Sequence, residues 1–283
     1  MKRGSILLLM SALITFGFFS CTSKTVKTEE KSLVKRYYLD KDTTKGVLSL
    51  DFDIEIPTAY ADTNVLKAIH DTLIINIFGR KYMNVHKDSL LKVVALDYYN
   101  GYLSDNKSIE NAIDTTHHYT LNNEHTISGY SLLSDKSIYV YGIERYVDLG
   151  GAHGNETRIF FNFDLKTGKL IHEQDLFQSG YEKALTDLIK ARILEDIKSA
   201  PQEKNTEAIL SLDDTDYWTE SIKPNGNFYI TDEGIGYVFN TYEIAPYSMG
   251  QTEVALPYSK IKSLLKPNSI VAYLVEKDAK TAK

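Results

Sequence analysis

The sequence predicts an α+β fold made mainly of antiparallel sheets, with helices packed on one face and two closely associated subdomains. Three observations lead to this prediction. Residues 46–57 alternate apolar and polar side chains, which is the pattern of a strand with one buried face. Two stretches with helical spacing follow, and most of the later strands come in pairs joined by tight turns. Because strands and helices come in groups rather than in regular alternation, this fold is favoured over a doubly wound parallel sheet.

Two helices are predicted in the first half of the chain. The first follows Asp62, whose carboxylate can cap it, and it ends at Gly79. The second runs from Ser89 to about Tyr99 and ends at the turn Asn100-Gly101. The strands predicted after them are 117–133, 136–147 and 156–164.

One helix, one hairpin and two short elements are predicted in the second half. The segment Ser179-Gly-Tyr-Glu182 has the pattern of a capping box, and the helix that it opens ends before Pro201. The inward positions of this helix are Leu185, Leu188, Ile189, Ile193 and Ile197. Strands at 227–230 and 235–240 form a hairpin, and a strand at 251–256 precedes a short helix at 258–265.

The first 20 residues are expected to be a lipoprotein signal peptide. Lys2 and Arg3 precede an apolar run that is too short and too close to the terminus for an ordinary membrane span. The run ends at Ser20-Cys21, which resembles the processing site of bacterial lipoproteins, and Cys21 is the chain's single cysteine. Lipidation of Cys21 would anchor the protein in the cell envelope, and Thr22 after it favours the outer membrane. An ordinary signal peptide that leaves a free thiol is the alternative.

The remaining chain is expected to divide into four parts. Residues 21–44 are predicted to be a polar tether, and residues 268–283 a tail that is disordered from Lys277. Between them lie an N-terminal α+β domain at 45–164 and a C-terminal α+β domain at 165–267. Loss of Lys2 and Arg3 with the signal peptide changes the net charge from −6 to −8, which argues against nucleic-acid binding.

The segment from Tyr146 to Glu156 is the strongest local signal for a site. It places three glycines around His153, directly after a predicted strand. His153 could be a general base or a metal ligand, and Glu243 could be its acid partner. Alternatively, both side chains fix loops in place. The predicted binding residues are Asp148, His153, Asn155, Tyr242, Glu243 and Tyr247.

The sequence also predicts that the 150–155 loop packs beside the 242–247 loop, because both end strands that should share a core. His117, His118 and His125 lack the spacing of a metalloenzyme site, so neither a metal nor a cofactor is expected. The chain contains neither a phosphate-binding loop nor a dinucleotide fingerprint.

Two segments carry a resemblance to a known family. They are Leu149-Gly-Gly-Ala-His-Gly-Asn155 and Phe239-Asn-Thr-Tyr-Glu-Ile-Ala-Pro-Tyr-Ser-Met-Gly250. In this order they resemble the paired extracellular domains of RsiV-like anti-sigma factors, which sense lysozyme, and of some peptidoglycan deacetylases. The resemblance implies an α+β module that faces the envelope and binds a ligand. It implies neither sigma-factor control nor deacetylation.

The sequence therefore leaves two functions open. The first is a lipid-anchored envelope protein that binds a lysozyme-like protein or peptidoglycan. The second is an envelope glycan hydrolase that uses His153 and Glu243 as an acid/base pair.

Overall fold

The computed structural model describes residues 24–107, 119–200 and 209–281. Within these ranges the fold is α+β, as predicted, with a five-stranded and a three-stranded sheet. The strands are β1 (Lys27–Tyr38), β2 (Val47–Ala59), β3 (Asn123–Ser134), β4 (Ile138–Asp148), β5 (Asn155–Asp164), β6 (Phe228–Ile230), β7 (Gly234–Phe239) and β8 (Thr252–Pro257). The helices are α1 (Thr63–Ile77), α2 (Lys87–Lys107), α3 (Glu173–Leu176), α4 (Glu182–Ser199), α5 (Tyr258–Ile261) and α6 (Ala272–Thr281). The predicted signal peptide, Cys21, His117 and His118 lie outside the described residues.

The first sheet has its strands in chain order, from β1 to β5. All neighbours pair antiparallel except β2 and β3, which are parallel because α1 and α2 make the crossover between them. The predicted alternation in β2 is confirmed: Leu48, Leu50, Phe52, Ile54 and Ile56 are all buried in the core under the two helices.

Helix α1 begins as predicted, whereas α2 is longer than predicted. The Asp62 carboxylate accepts hydrogen bonds from the backbone N–H groups of Asn64 (2.8 Å) and Val65 (3.2 Å). Helix α2 continues through Asn100-Gly101, so the predicted turn there is wrong. Its last turns are held by Tyr102, which is buried and donates a hydrogen bond to the core, and this packing outweighs the helix cost of one glycine, about 1 kcal/mol.

The predicted tether at 21–44 is wrong over half of its length, because residues 27–38 form strand β1. One face of β1 packs against α2: the ring of Tyr37 stacks on Tyr99 at a centroid distance of 4.6 Å. On the same side, Lys31 Nζ lies 2.8 Å from the Asp88 carboxylate of α2. The polar composition of β1 is therefore that of an edge strand with one half-buried face and one exposed face, rather than that of a free linker.

The second subdomain places α4 against the sheet β6-β7-β8. Leu185, Ile189 and Ile193 are buried as predicted, with Leu188 and Ile197 partly buried beside them. The predicted capping box at 179–182 is wrong, since Tyr181 is the N-cap and its side chain makes no cap bond. The Tyr181 ring instead stacks on Phe177, so tertiary packing determines where the helix begins.

The predicted disordered tail is also wrong within the described residues. The sequence predicts disorder from Lys277, but helix α6 continues through Lys277 to Thr281. The start of this helix is held by Leu274, which is buried in the second core together with Val271. Lys277 Nζ lies 2.8 Å from the Asp232 carboxylate, which ties the helix to the β6–β7 turn.

The two subdomains meet along β5, an edge strand of the first sheet, and three asparagine side chains bridge the contact. Asn240 Nδ2 donates to the carbonyl of Arg158 (3.0 Å), and Asn240 Oδ1 accepts from the Arg158 N–H (2.7 Å). Asn227 Oδ1 accepts from the N–H of Phe160 (3.1 Å). Asn162, which is 3% exposed, donates to one β6 backbone group and accepts from another. These amides satisfy backbone groups that an open edge would leave unpaired.

In the part of the chain that the structure describes, none of the helices has the length and apolar composition needed to cross a membrane.

Candidate functional site

The loop between β4 and β5 has a backbone conformation that requires glycine. Asp148 Oδ1 accepts a hydrogen bond from the N–H of Gly150 at 2.8 Å, which closes a turn at the end of β4. Gly150 has φ +73°, and a Cβ atom there would lie 2.0 Å from the carbonyl oxygen of Thr120. Asp148 therefore acts in shaping the loop.

The imidazole of His153 is fixed by the loop that carries it. Nδ1 lies 2.9 Å from the carbonyl oxygen of Gly154. Because a carbonyl only accepts, Nδ1 must carry the hydrogen, and Nε2 is left as the nitrogen available to a ligand. Gly154 itself lies against the ring of Tyr146, where a Cβ atom would come within 2.4 Å of the phenol oxygen.

The loop after β7 presents two tyrosines to the first loop. Tyr247 begins a short 3₁₀ helix, and its ring stacks on the imidazole of His153 with centroids 3.8 Å apart and planes at 25°. Its hydroxyl donates a hydrogen bond of 2.9 Å to the carbonyl of Gly154. The ring of Tyr242 lies 5.8 Å from that of Tyr247, tilted by 37°. The prediction that these two loops pack together is confirmed.

The two loops line a surface pocket of about 490 Å³ that is open to solvent. Its lining residues are Val147, Leu149, Gly151, His153, Asn155, Thr241 and Tyr242. Tyr242 is 53% exposed and Leu149 is 60% exposed, so this end of the molecule carries apolar and aromatic surface in contact with water. Exposed apolar surface of this kind is typical of binding sites.

The predicted site residues separate into two groups. His153, Asn155 and Tyr242 line the pocket, and Tyr247 contacts this wall through its ring stack on His153. Glu243 has a different position: its carboxylate accepts hydrogen bonds from Asn225 (2.9 Å) and Asn240 (3.3 Å) and is not part of the pocket wall.

Sequence reasoning missed the supporting residues of the site. Tyr146 lies under Gly154, and partial burial together with the nearby Asp148 and Glu124 carboxylates raises the pKa of its phenol. Asn240 was also missed, although it links the second loop to β5. The position of Asn240 directly after a predicted strand is the one sequence signal that could have indicated this role.

Within the described residues, no group of three His, Cys, Asp or Glu side chains is arranged to hold a metal ion.

The fold is that of an α+β protein with two joined subdomains. Comparison with known proteins finds a matching family model and similar solved structures. Residues 174–259 match the model of a family described as "Protein of unknown function (DUF3298)", so the chain contains a DUF3298 domain. That segment includes the tyrosine-bearing loop. The sequence matches none of the curated proteins.

Solved structures with a similar fold include two DUF3298 proteins. The crystal structure of a DUF3298 family member from Bacteroides fragilis NCTC 9343 has 26% sequence identity and a TM-score of 0.75, over 89% of this chain and 99% of that chain. The crystal structure of a DUF3298 family protein from Pseudomonas aeruginosa PAO1 has 14% identity and a TM-score of 0.50, over 87% of this chain and 98% of that chain. The second likeness concerns the fold alone.

Proposed function

We propose that this protein is a lipid-anchored binding protein of the cell envelope that recognises peptidoglycan or a lysozyme-like protein at the cleft between the two loops. The observation that carries the proposal is the stacked contact between His153 and Tyr247, which joins loops from the two subdomains into one exposed aromatic surface. Binding sites commonly lie at such junctions between subdomains.

The cleft is held in shape before any ligand arrives. Gly150 and Tyr242 have left-handed backbone conformations, and hydrogen bonds fix the side chains of Asp148, His153 and Glu243. A pre-formed site loses less conformational entropy on binding than a mobile one. Aromatic rings add contact area at a low entropy cost.

The arrangement favours binding over hydrolysis. An acid/base pair must share a cleft that also holds the substrate. The carboxylate of Glu243 is engaged by Asn225 and Asn240, and it does not line the pocket that contains His153. Glu243 is thus better suited to holding its loop than to transferring a proton.

Two further features support a place in the envelope. The run that ends at Ser20-Cys21 has the form of a lipoprotein signal, with outer-membrane sorting favoured by Thr22. The two loop motifs resemble those of RsiV-like domains. Replacing Cys21 with Ser should release the protein from the membrane fraction, and retention of that variant in the membrane would contradict the anchor.

Titration calorimetry tests the binding function. The purified protein is titrated with peptidoglycan fragments and, separately, with lysozyme, and the same is done for Tyr247→Ala. We expect one of the two ligands to bind, and we expect Tyr247→Ala to weaken that binding. Binding of a basic protein should also weaken as salt rises, because the chain is acidic and the screening length falls to about 8 Å at physiological ionic strength. No binding of either ligand, together with glycan turnover that disappears in His153→Ala, would instead favour the hydrolase.

A further inference from the structure

The side chains around the pocket indicate the charge of its ligand. Among the described residues, those that line the pocket include no Asp, Glu, Lys or Arg. The polar groups that line it are the amide of Asn155, the hydroxyl of Thr241 and the imidazole of His153. Phosphate and carboxylate ligands are usually held by cationic side chains, and cationic ligands by carboxylates. The lining of this pocket therefore suits a neutral ligand with hydroxyl or amide groups.

Tyr242 provides a flat apolar face on the same wall. Its φ of +69° is rare for a bulky aromatic residue. Strained conformations of this kind persist only where the surroundings enforce them, and they are concentrated at functional sites. Here the N–H of Glu243 donates to the carbonyl of Asn240 at 3.0 Å, and the Glu243 carboxylate binds Asn225, so the residue after Tyr242 is held on both its backbone and its side chain.

The ring of Tyr242 is left open by this arrangement. It is tilted against Tyr247 rather than stacked on it, and more than half of the side chain is exposed. The ring pair of Tyr247 and His153 continues the aromatic surface beside it. An aromatic residue that is 53% exposed and lies beside neutral hydrogen-bonding groups suits a pyranose ring, which has an apolar face and a hydroxyl-bearing rim.

We propose that the pocket is a sugar-binding subsite in which the Tyr242 ring stacks on a neutral pyranose. Asn155, Thr241 and the Nε2 atom of His153 bind the hydroxyl or acetamido groups of that sugar. The volume of about 490 Å³ lies within the range of about 300–1,000 Å³ that is typical of small-ligand pockets. The pocket is open to solvent, so it can accept part of a longer glycan. This inference rests on the proposed binding function and assigns its ligand to glycans rather than to proteins.

The test uses a neutral probe, the β-1,4-linked tetramer of N-acetylglucosamine, and titration calorimetry of the purified protein. The informative variant is Tyr242→Asn, because asparagine tolerates the left-handed conformation and the loop keeps its shape without the ring. Tyr242→Phe retains the ring. Leu96→Ala is the matched control, since Leu96 is also 53% exposed but lies on α2, outside the cleft.

The expected result is binding that weakens by roughly tenfold in Tyr242→Asn and by less than about threefold in Tyr242→Phe and Leu96→Ala. Binding should change little with salt, because the probe is uncharged. Equal affinity in Tyr242→Asn would overturn the stacking role. If the tetramer fails to bind while lysozyme binds and is lost in Tyr242→Asn, the sugar assignment is wrong and the binding function stands. If neither tetramer, peptidoglycan fragments nor lysozyme binds, both proposals are wrong.

Discussion

The contact between His153 and Tyr247 should be measurable as a coupling energy. Tyr247→Ala removes the ring stack and the hydrogen bond to the Gly154 carbonyl, and it should lower the free energy of unfolding by about 1–2.5 kcal/mol. Tyr247→Phe removes the hydrogen bond alone. It should cost only about 0.5–1 kcal/mol, because the same carbonyl still accepts from His153 Nδ1.

A double-mutant cycle measures the coupling between the two side chains, which includes the ring stack and the Gly154 carbonyl that both of them bind. The rings are 3.8 Å apart, but Tyr247 is 37% exposed, so the coupling between His153→Ala and Tyr247→Ala should be about 0.5–1 kcal/mol. The assay is urea unfolding of the wild type, both single variants and the double variant at constant pH. A parallel cycle between Tyr247→Ala and Leu96→Ala should be additive. Additivity of the His153 and Tyr247 changes within about 0.3 kcal/mol would refute the view that the two loops stabilise each other through this pair.

Three further predictions concern the subdomain contact, the glycine loop and pH. Asn162→Ala leaves two β6 backbone groups without their partner and should lower the free energy of unfolding by about 1–3 kcal/mol in urea titrations; a loss below about 0.5 kcal/mol would show that the bridge is dispensable. Gly150→Ala should destabilise by more than about 1 kcal/mol because its Cβ would collide with the Thr120 backbone, whereas Gly151→Ala, with nothing within 4 Å of its Cβ, should be nearly neutral in the same thermal-unfolding assay; equal effects would contradict the loop geometry. Burial lowers the pKa of His125 below its ordinary value of 6.5, so the unfolded chain binds the proton more readily, and stability should fall as pH drops below 6.5; unfolding curves at pH 7.5 and 5.5 should show a smaller loss in His125→Gln, and an equal loss in both proteins would refute this.

The fold class could be predicted from the sequence because its local signals agree with the structure. The strict alternation in β2 and the Asp62 cap of α1 are local patterns, and both are confirmed. The errors occur where tertiary contacts override local composition. Strand β1 has the composition of a polar linker, and the α2 residues that pair with its Lys31 and Glu29 are distant in the sequence. The continuation of α2 past Asn100-Gly101 is explained by the burial of Tyr102, which local sequence does not reveal.

The candidate site shows the same division. The sequence shows the glycines around His153 and the tyrosine loop that contains a proline. It predicts that the two loops meet, and they do. The sequence leaves open whether Glu243 is the acid partner of His153 or fixes its loop, because Asn225 and Asn240 reach its carboxylate only in the folded loop. The role of Glu243 therefore depends on hydrogen-bond partners that only the folded chain brings to it.

Hydrogen–deuterium exchange of the purified protein, with and without saturating peptidoglycan fragments, tests most directly whether the two loops form the binding site. The account predicts that the ligand slows exchange in residues 149–155 and 240–250 together, since both loops contribute to one cleft. Protection of only one loop, or protection confined to another part of the molecule, would contradict it.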